Sequence, residues 1–156
     1  MCTRDAAGYW FCCRVRSAAH VAGKVRVVIG HLGLNVADLP ATKAYFDRFM
    51  PILGFETFLD AADEFAYRPA GGKPGTYLFF YAAEHEGAHD HRRAGLQHLA
   101  FMVRTRADVD QVHALAVSLG SSVVHPPRAF PQYPPPYYAT FWLDPNGFLL
   151  EAVCHH

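Results

Sequence analysis

The chain has no long run of apolar residues and no excess of charge of either sign. Its 156 residues include 14 Lys and Arg against 14 Asp and Glu, so the formal net charge is zero with His neutral. A membrane-spanning helix needs roughly 20 consecutive apolar residues, and no run approaches that length. The balanced charge gives no electrostatic reason to expect nucleic acid or an anionic membrane as the main partner. We therefore expect a small molecule or another protein chain.

Cysteine is scarce, and its positions suit neither a disulfide framework nor a structural zinc site. The four residues stand near the two ends of the chain and include no CxxC pair: Cys2, Cys12, Cys13 and Cys154. This usage favours reduced thiols over disulfides. We therefore predict a cytoplasmic location.

Hydrophobic residues make up 51% of the chain, which is enough for one sizeable core. Residues 1–24 show no sustained period of two or 3.6 residues, and we interpret them as a flexible N-terminal tail. A transit peptide and an extra edge strand through Tyr9–Cys13 are the alternatives for this segment. The remainder, residues 25–156, is predicted to form a single domain.

Two segments of that domain repeat each other. The sequence HLGLNV begins at His31 and HLAFMV begins at His98, 67 residues later. The glycines that follow the two predicted helices, Gly54 and Gly120, are 66 residues apart. Because nearly the same spacing extends well beyond the six aligned positions, the chain is predicted to contain two equivalent structural units.

Each unit is predicted to have the element order βαβββ. The first contains a strand over 25–36, a helix capped by Asp38 and ending at Gly54, and strands over 55–59, 64–68 and 76–82. The second contains a strand over 96–103, a helix over 107–119, and strands over 122–124, 138–143 and 148–153. The last two strands are joined by a turn at Asp144-Pro145-Asn146-Gly147.

These elements predict an α+β fold in which two paired βαβββ modules form curved mixed sheets around a cleft, with the helices outside. The first module covers residues 25–84, a linker covers 85–95, and the second module covers 96–154. By strand alternation His31, His98 and Glu151 lie on the sheet faces away from the helices.

Two imidazoles and one carboxylate form a ligand set that holds a divalent cation and leaves positions open. His31, His98 and Glu151 are therefore the candidate metal ligands. Either histidine alone is compatible with a packed or hydrogen-bonded core residue. Glu151 stands in the apolar segment FLLEAV, where an unpartnered carboxylate is costly, although an outward-facing edge position is the alternative.

The repeat also indicates where a fourth ligand belongs. Gly147 precedes Glu151 by four residues, and Gly75 stands at the matching turn of the first unit, so Phe79 is the counterpart of Glu151. A phenyl ring donates nothing to a metal ion. The sequence therefore supports three ligands, or none if no metal binds.

The paired βαβββ units, the segments GHLGLNV and LQHLAFMV, and the segment DPNGFLLE that ends at Glu151 resemble the vicinal oxygen chelate superfamily. That superfamily includes glyoxalase I, extradiol dioxygenases, fosfomycin-resistance enzymes and bleomycin-binding proteins. The four-ligand pattern of glyoxalase I maps onto His31, Phe79, His98 and Glu151, whereas the pattern of two His and one Glu fits this chain. Phe141 and the absence of His in 131–136 depart from the extradiol signature.

The resemblance implies a homodimeric enzyme with Fe(II), Mn(II), Ni(II) or Zn(II) held by His31, His98 and Glu151. Its chemistry is that of a lyase, an isomerase or an oxygenase acting on a small molecule with neighbouring oxygens. Glu151 serves as the base if it can leave the metal, and Tyr81 or Tyr137 is the alternative proton donor. The alternative is a metal-free protein that sequesters an aromatic drug or metabolite. A third interpretation is an accessory domain that works only as a dimer.

Substrate contacts are predicted for four aromatic residues: Phe79, Tyr81, Tyr137 and Tyr138. The segment over residues 126–138 is expected to be irregular because of its prolines, and its aromatic side chains either cover the cleft or seal the core. In the linker, Arg92 or Arg93 is the candidate for reaching an anionic group of the substrate.

Overall fold

The computed structural model describes residues 29–156 and two short N-terminal strands, β1 (Thr3–Arg4) and β2 (Trp10–Phe11), which pair antiparallel. Most of the segment predicted as a flexible tail therefore lies outside the described residues, as do residues 25–28 of the predicted first strand. No helix in the described part of the chain is long and apolar enough to cross a membrane.

The first module has the predicted order βαβββ. Its elements are β3 (His31–Val36), α1 (Leu39–Phe49), β4 (Phe55–Asp60), β5 (Glu64–Pro69) and β6 (Tyr77–Ala82), with a short 3₁₀ turn over Ala70–Gly72. The four strands form one sheet in the order β3-β6-β5-β4. β3 and β6 are parallel, and the other neighbours are antiparallel.

The second module repeats this arrangement. Its elements are β7 (Leu99–Met102), α2 (Arg106–Ser118), β8 (Ser122–Ala129), β9 (Tyr138–Leu143) and β10 (Leu149–Cys154). The strand order β7-β10-β9-β8 matches that of the first sheet, and again the first two strands are parallel. The predicted α+β fold of two βαβββ modules is confirmed.

Both helices begin at side-chain caps. Asp38 accepts a hydrogen bond from the backbone N–H of Ala41 at 2.9 Å, as the sequence predicts. Thr105 and Asp108 form a reciprocal capping box at the start of α2. These contacts fix the start of each helix, and so the direction in which each chain segment leaves the preceding strand.

One hydrophobic core joins the two modules. Trp142 of β9 is fully buried, and its ring stacks on Phe49 of α1 with 5.4 Å between the ring centroids. The indole N–H of Trp142 also donates to the hydroxyl of Tyr45 at 3.0 Å. α1 of the first module therefore packs directly against the sheet of the second.

The expectation of irregular structure from residue 126 onward is wrong for its first four residues. β8 continues through Pro126, Pro127 and Arg128 to Ala129. The prolines are tolerated because β8 is the edge strand of its sheet, where a missing N–H leaves no neighbour unpaired. The register shifts twice along β8, which is typical of bulged edge strands.

The linker is docked onto the second module. His89 stacks on Phe148 with 4.6 Å between the ring centroids, and its backbone N–H donates to the carbonyl of Asn146 at 3.0 Å. Gly147 closes the predicted turn at φ +87°, and a Cβ there would meet the carbonyl oxygen of His89. Glycine is required at this turn for both reasons.

Candidate metal centre

His98 and Glu151 lie together on one face of the second sheet. His98 directly precedes β7, and β7 is the parallel neighbour of β10, which carries Glu151. Glu151 is fully buried, and all six residues of β10 are buried. The Nε2 atom of His98 lies 3.2 Å from Oε2 of Glu151.

The two oxygens of Glu151 have different surroundings. The hydroxyl of Tyr137 donates to Oε1 at 2.6 Å. Oε2 accepts no hydrogen bond from any described residue, although it is buried. Burial raises the pKa of Glu151, and the Tyr137 hydrogen bond and the nearby His98 partly oppose that rise. Burial and the adjacent carboxyl group also raise the pKa of Tyr137, so its hydroxyl remains a donor.

The other ring nitrogen of His98, Nδ1, contacts the side-chain Oε1 of Gln97. A proton on Nδ1 would satisfy that contact and leave a lone pair on Nε2, which is the form of imidazole that binds a metal ion. In that tautomer, Nε2 of His98 and Oε2 of Glu151 are two electron-pair donors that face each other.

This donor arrangement fits a divalent cation. Ligands bound to one ion at about 2.1 Å and at right angles to each other lie about 3 Å apart, close to the separation of Nε2 and Oε2. Gln97 contacts Nδ1 of His98, and the hydroxyl of Tyr137 donates to Oε1 of Glu151. Hydrogen bonds of this kind orient the ligands in metal sites.

His98 and Glu151 line a cavity of about 350 Å³. Its walls combine a few polar groups with aromatic rings, and all of them come from the second module: Gln97, His98, Val124, His125, Arg128, Phe130, Gln132, Tyr133, Tyr137, Phe141, Leu149 and Glu151. Such a mixture of apolar wall and convergent polar groups is typical of small-molecule sites.

The third predicted ligand, His31, lies on the open face of the first sheet. Its side chain is exposed, and its ring packs edge-on against Phe79 with centroids 5.7 Å apart. Phe79 in turn stacks beside Tyr81. None of these three residues lines the cavity at Glu151. Across residues 29–156, no three His, Cys, Asp or Glu side chains lie close enough to hold a metal ion together.

Of the four predicted substrate contacts, the structure brings only Tyr137 to Glu151. Tyr138, the next residue, points to the opposite face of the sheet, where its hydroxyl donates to Asp110 of α2 at 2.9 Å. Alternation along an extended strand separates the two tyrosines in this way.

The cavity wall includes residues that sequence reasoning did not assign to the site, among them Gln97, His125 and Arg128. Neither arginine predicted to reach an anionic group of the substrate lines this cavity. Arg93 is largely exposed in the linker and faces Asp90, with 3.5 Å between its Nε and the carboxylate. The adjacent Arg92 does not line the Glu151 cavity.

The chain is therefore an α+β protein of two βαβββ modules, and the candidate metal centre is the pair His98 and Glu151 on an open sheet face. A family model, described as the Glyoxalase/Bleomycin resistance protein/Dioxygenase superfamily, matches residues 28–152. The chain belongs to that superfamily, because the match spans about four fifths of its length.

Individual relatives agree with this assignment. The chain is 27% identical over 126 residues to the Bacillus subtilis (strain 168) protein YqjT, whose name leaves its function open, and the match covers 79% of this chain and 95% of YqjT. A Bacillus halodurans crystal structure, provisionally named a glyoxalase, superimposes with a TM-score of 0.71 at 27% identity, covering 83% of this chain and 96% of that one.

A more distant structure shares the fold. The fosfomycin resistance protein FosX of Listeria monocytogenes superimposes with a TM-score of 0.62 at 18% identity, covering 83% of this chain and 94% of FosX. At this level of identity the likeness concerns the fold alone.

Proposed function

We propose that this protein is a divalent-metal-dependent enzyme that acts on a small molecule with two neighbouring oxygens. The observation that carries the proposal is the buried Oε2 of Glu151, which has no hydrogen bond and lies 3.2 Å from Nε2 of His98. A buried carboxylate oxygen without a partner is costly, and a cation relieves that cost. The ion is Fe(II), Mn(II), Ni(II) or Zn(II), all of which accept imidazole and carboxylate ligands.

We infer that His31 of a second copy of the chain completes the ligand set. Within one chain the cavity is lined by residues 97–151 alone, so the first module contributes nothing to it. The open face of the first sheet presents His31 beside Tyr77 and Phe79. A homodimer in which each first module covers the cavity of the other chain supplies a histidine and an aromatic wall at once.

When bound, the ion acts as a Lewis acid that stabilises negative charge developing on a substrate oxygen. The residues of this chain have separate roles around it. Glu151 is the candidate proton acceptor if its carboxylate leaves the ion during the reaction, and burial, which raises its pKa, strengthens it as a base. Tyr137 orients Glu151 through Oε1. Phe130 and Phe141 exclude water from the cavity. This set suits isomerase, lyase or oxygenase chemistry.

Metal content tests the proposal. Protein purified without a chelator and reloaded anaerobically is expected to hold about one divalent ion per chain, measured by inductively coupled plasma mass spectrometry. An Ala substitution of the exposed linker residue His85 serves as the matched control and is expected to leave that content unchanged. A wild type that stays metal-free after reloading with each of the four ions would contradict the metalloenzyme proposal.

Replacing Tyr137 with Phe removes the hydrogen bond to Glu151 and keeps the aromatic ring. Because such supporting contacts contribute about ten- to a hundredfold to metal affinity, we expect Tyr137→Phe to weaken metal binding by roughly that factor. The control is Tyr133→Phe, since Tyr133 lines the same cavity and its ring lies 4.8 Å from that of Tyr137. Equal affinities of the two variants in a chelator competition assay would refute the positioning role.

A second candidate function is metal-free sequestration of an aromatic compound. It is supported by the aromatic cavity wall and by Phe79, which stands where a fourth metal ligand would belong. Tight binding of aromatic compounds by chelator-treated protein, without any reaction after metal is restored, would favour this function.

We keep the cytoplasm as the proposed location. The one cysteine among residues 29–156, Cys154, is buried and not in a disulfide, in keeping with a reducing compartment.

A further inference from the structure

Arg128 reaches the same cavity as Glu151 and has no acidic partner in the part of the chain that the structure describes. Its guanidinium carbon lies 4.7 Å from the centre of the Phe130 ring, which packs within the cavity wall. Such cation–π contact holds an arginine in place without using its hydrogen-bond donors. Arg128 is exposed, and the contact with Phe130 places its N–H donors at the wall of the cavity.

The irregular edge strand is what brings His125 and Arg128 to one face. In an unbroken strand, residues three apart point to opposite faces. Here His125 pairs with Phe141 and Arg128 pairs with Ala139, with a register shift between them at the two prolines. Phe141 and Ala139 lie on the face that carries Glu151, so both β8 side chains line its cavity. The extra residue of a β-bulge changes the face of the sheet to which the following side chains point.

The charges of the cavity would favour an anion once a divalent ion is bound. Glu151 is the one carboxylate in the cavity wall, and Arg128 balances its charge. His125 adds a second imidazole, which packs edge-on against both Phe130 and Phe141 at 5.8 and 5.6 Å. A divalent ion at His98 and Glu151 would leave the cavity with net positive charge, and an anionic group on the ligand would compensate it.

We propose that the substrate is a small organic anion, with an oxyanion attached to an apolar body, and that Arg128 binds its anionic group. The planar guanidinium matches the oxygens of such a group through paired hydrogen bonds. Phe130, Phe141 and Tyr133 supply the contact for the apolar body. The inference rests on the proposed function for the identity of the site, and it names the substrate class of that site.

The test is calorimetric titration near neutral pH with three probes of similar shape: benzoate, phenylphosphonate and neutral benzamide. At least one anion is expected to bind the wild type, and to bind Arg128→Gln about tenfold more weakly or worse, as loss of a charge-assisted hydrogen bond predicts. Arg128→Lys is expected to recover part of the affinity. Arg93→Gln is the matched control, since it removes an exposed linker arginine and is expected to bind as the wild type does.

The comparison of benzoate with phenylphosphonate identifies which oxyanion the site prefers. The proposal is overturned if neither anion binds, if benzamide binds as well as the anions, or if Arg128→Gln binds the anions as tightly as Arg93→Gln. Thermal unfolding of each variant confirms that the fold is kept.

Titrations of chelator-treated and Mn(II)-loaded protein separate this inference from the proposed function. If the protein cannot bind metal and still binds the anions through Arg128, the role of Arg128 stands and the metal-dependent function is refuted. If the protein binds metal and its affinity for the anions does not depend on Arg128, the role of Arg128 is refuted and the metal-dependent function stands.

Discussion

Glu151→Gln is expected to lower the affinity for a divalent cation by at least about a hundredfold. The substitution keeps the size of the side chain and the hydrogen bond from Tyr137 but removes the negative charge at Oε2. Supporting residues alone contribute about ten- to a hundredfold to metal affinity, so loss of a ligand costs at least the upper end of that range. His98→Ala removes the other proposed ligand of the pair and is expected to have an effect of similar size.

Competition with a fluorescent chelator measures these affinities. The control is His113→Ala, a histidine of α2 outside the cavity. Glu151→Gln protein is also expected to unfold at the same or a higher temperature than metal-free wild type, because a buried carboxylate oxygen without a hydrogen bond is replaced by a neutral amide. Unchanged metal affinity in both Glu151→Gln and His98→Ala would show that the pair is not a metal site.

Trp142→Ala is expected to reduce the free energy of unfolding by about 3 to 5 kcal/mol, the usual cost of deleting a large buried aromatic side chain. Trp142 is fully buried and contacts α1 of the first module through both its ring and its indole N–H. The loss is therefore expected to destabilise both modules together, in one transition.

Denaturant unfolding followed by far-ultraviolet circular dichroism measures this effect. Met102→Ala, at a side chain that is 70% exposed, is the control and is expected to change stability by no more than about 0.5 kcal/mol. Two separate transitions in the wild type, or a Trp142→Ala cost as small as that of the control, would argue against a shared core.

Local sequence signals were sufficient for most of the secondary structure. The repeat that begins at His31 and His98 predicts both modules, because each unit carries the same alternation and the same helix position. Asp38 caps α1, and Asp144-Pro145-Asn146-Gly147 forms a hydrogen-bonded turn from the N–H of Gly147 to the carbonyl of Asp144. In both cases the deciding interactions lie within a few residues of each other in sequence.

The edge strand β8 was harder to predict, for a physical reason. Proline disfavours a strand only where its missing N–H would leave a neighbour unpaired, and that depends on the order of strands in the sheet. The order of strands in the sheet cannot be read from local amino-acid composition. The position of Arg128 was missed for the same reason, since its face depends on a register shift between β8 and β9.

The placement of His31 depends on how whole modules pack. Strand alternation assigns His31 and Glu151 to the faces away from the helices. Whether those two faces meet within one chain depends on the contact between α1 and the second module, which Phe49 and Trp142 make. That contact is set by side chains nearly a hundred residues apart in sequence, so periodicity does not reveal it.

The proposed metal site pairs His98 and Glu151 of one chain with His31 of another, and this pairing can be tested by mixing two variants that each lack one of the histidines. His31→Ala and His98→Ala chains are each expected to hold little metal. After the two are unfolded and refolded together, mixed dimers are expected to recover one intact site, with metal at about half of their sites. Mixed dimers identified by native mass spectrometry that hold no more metal than the separate variants would contradict the claim.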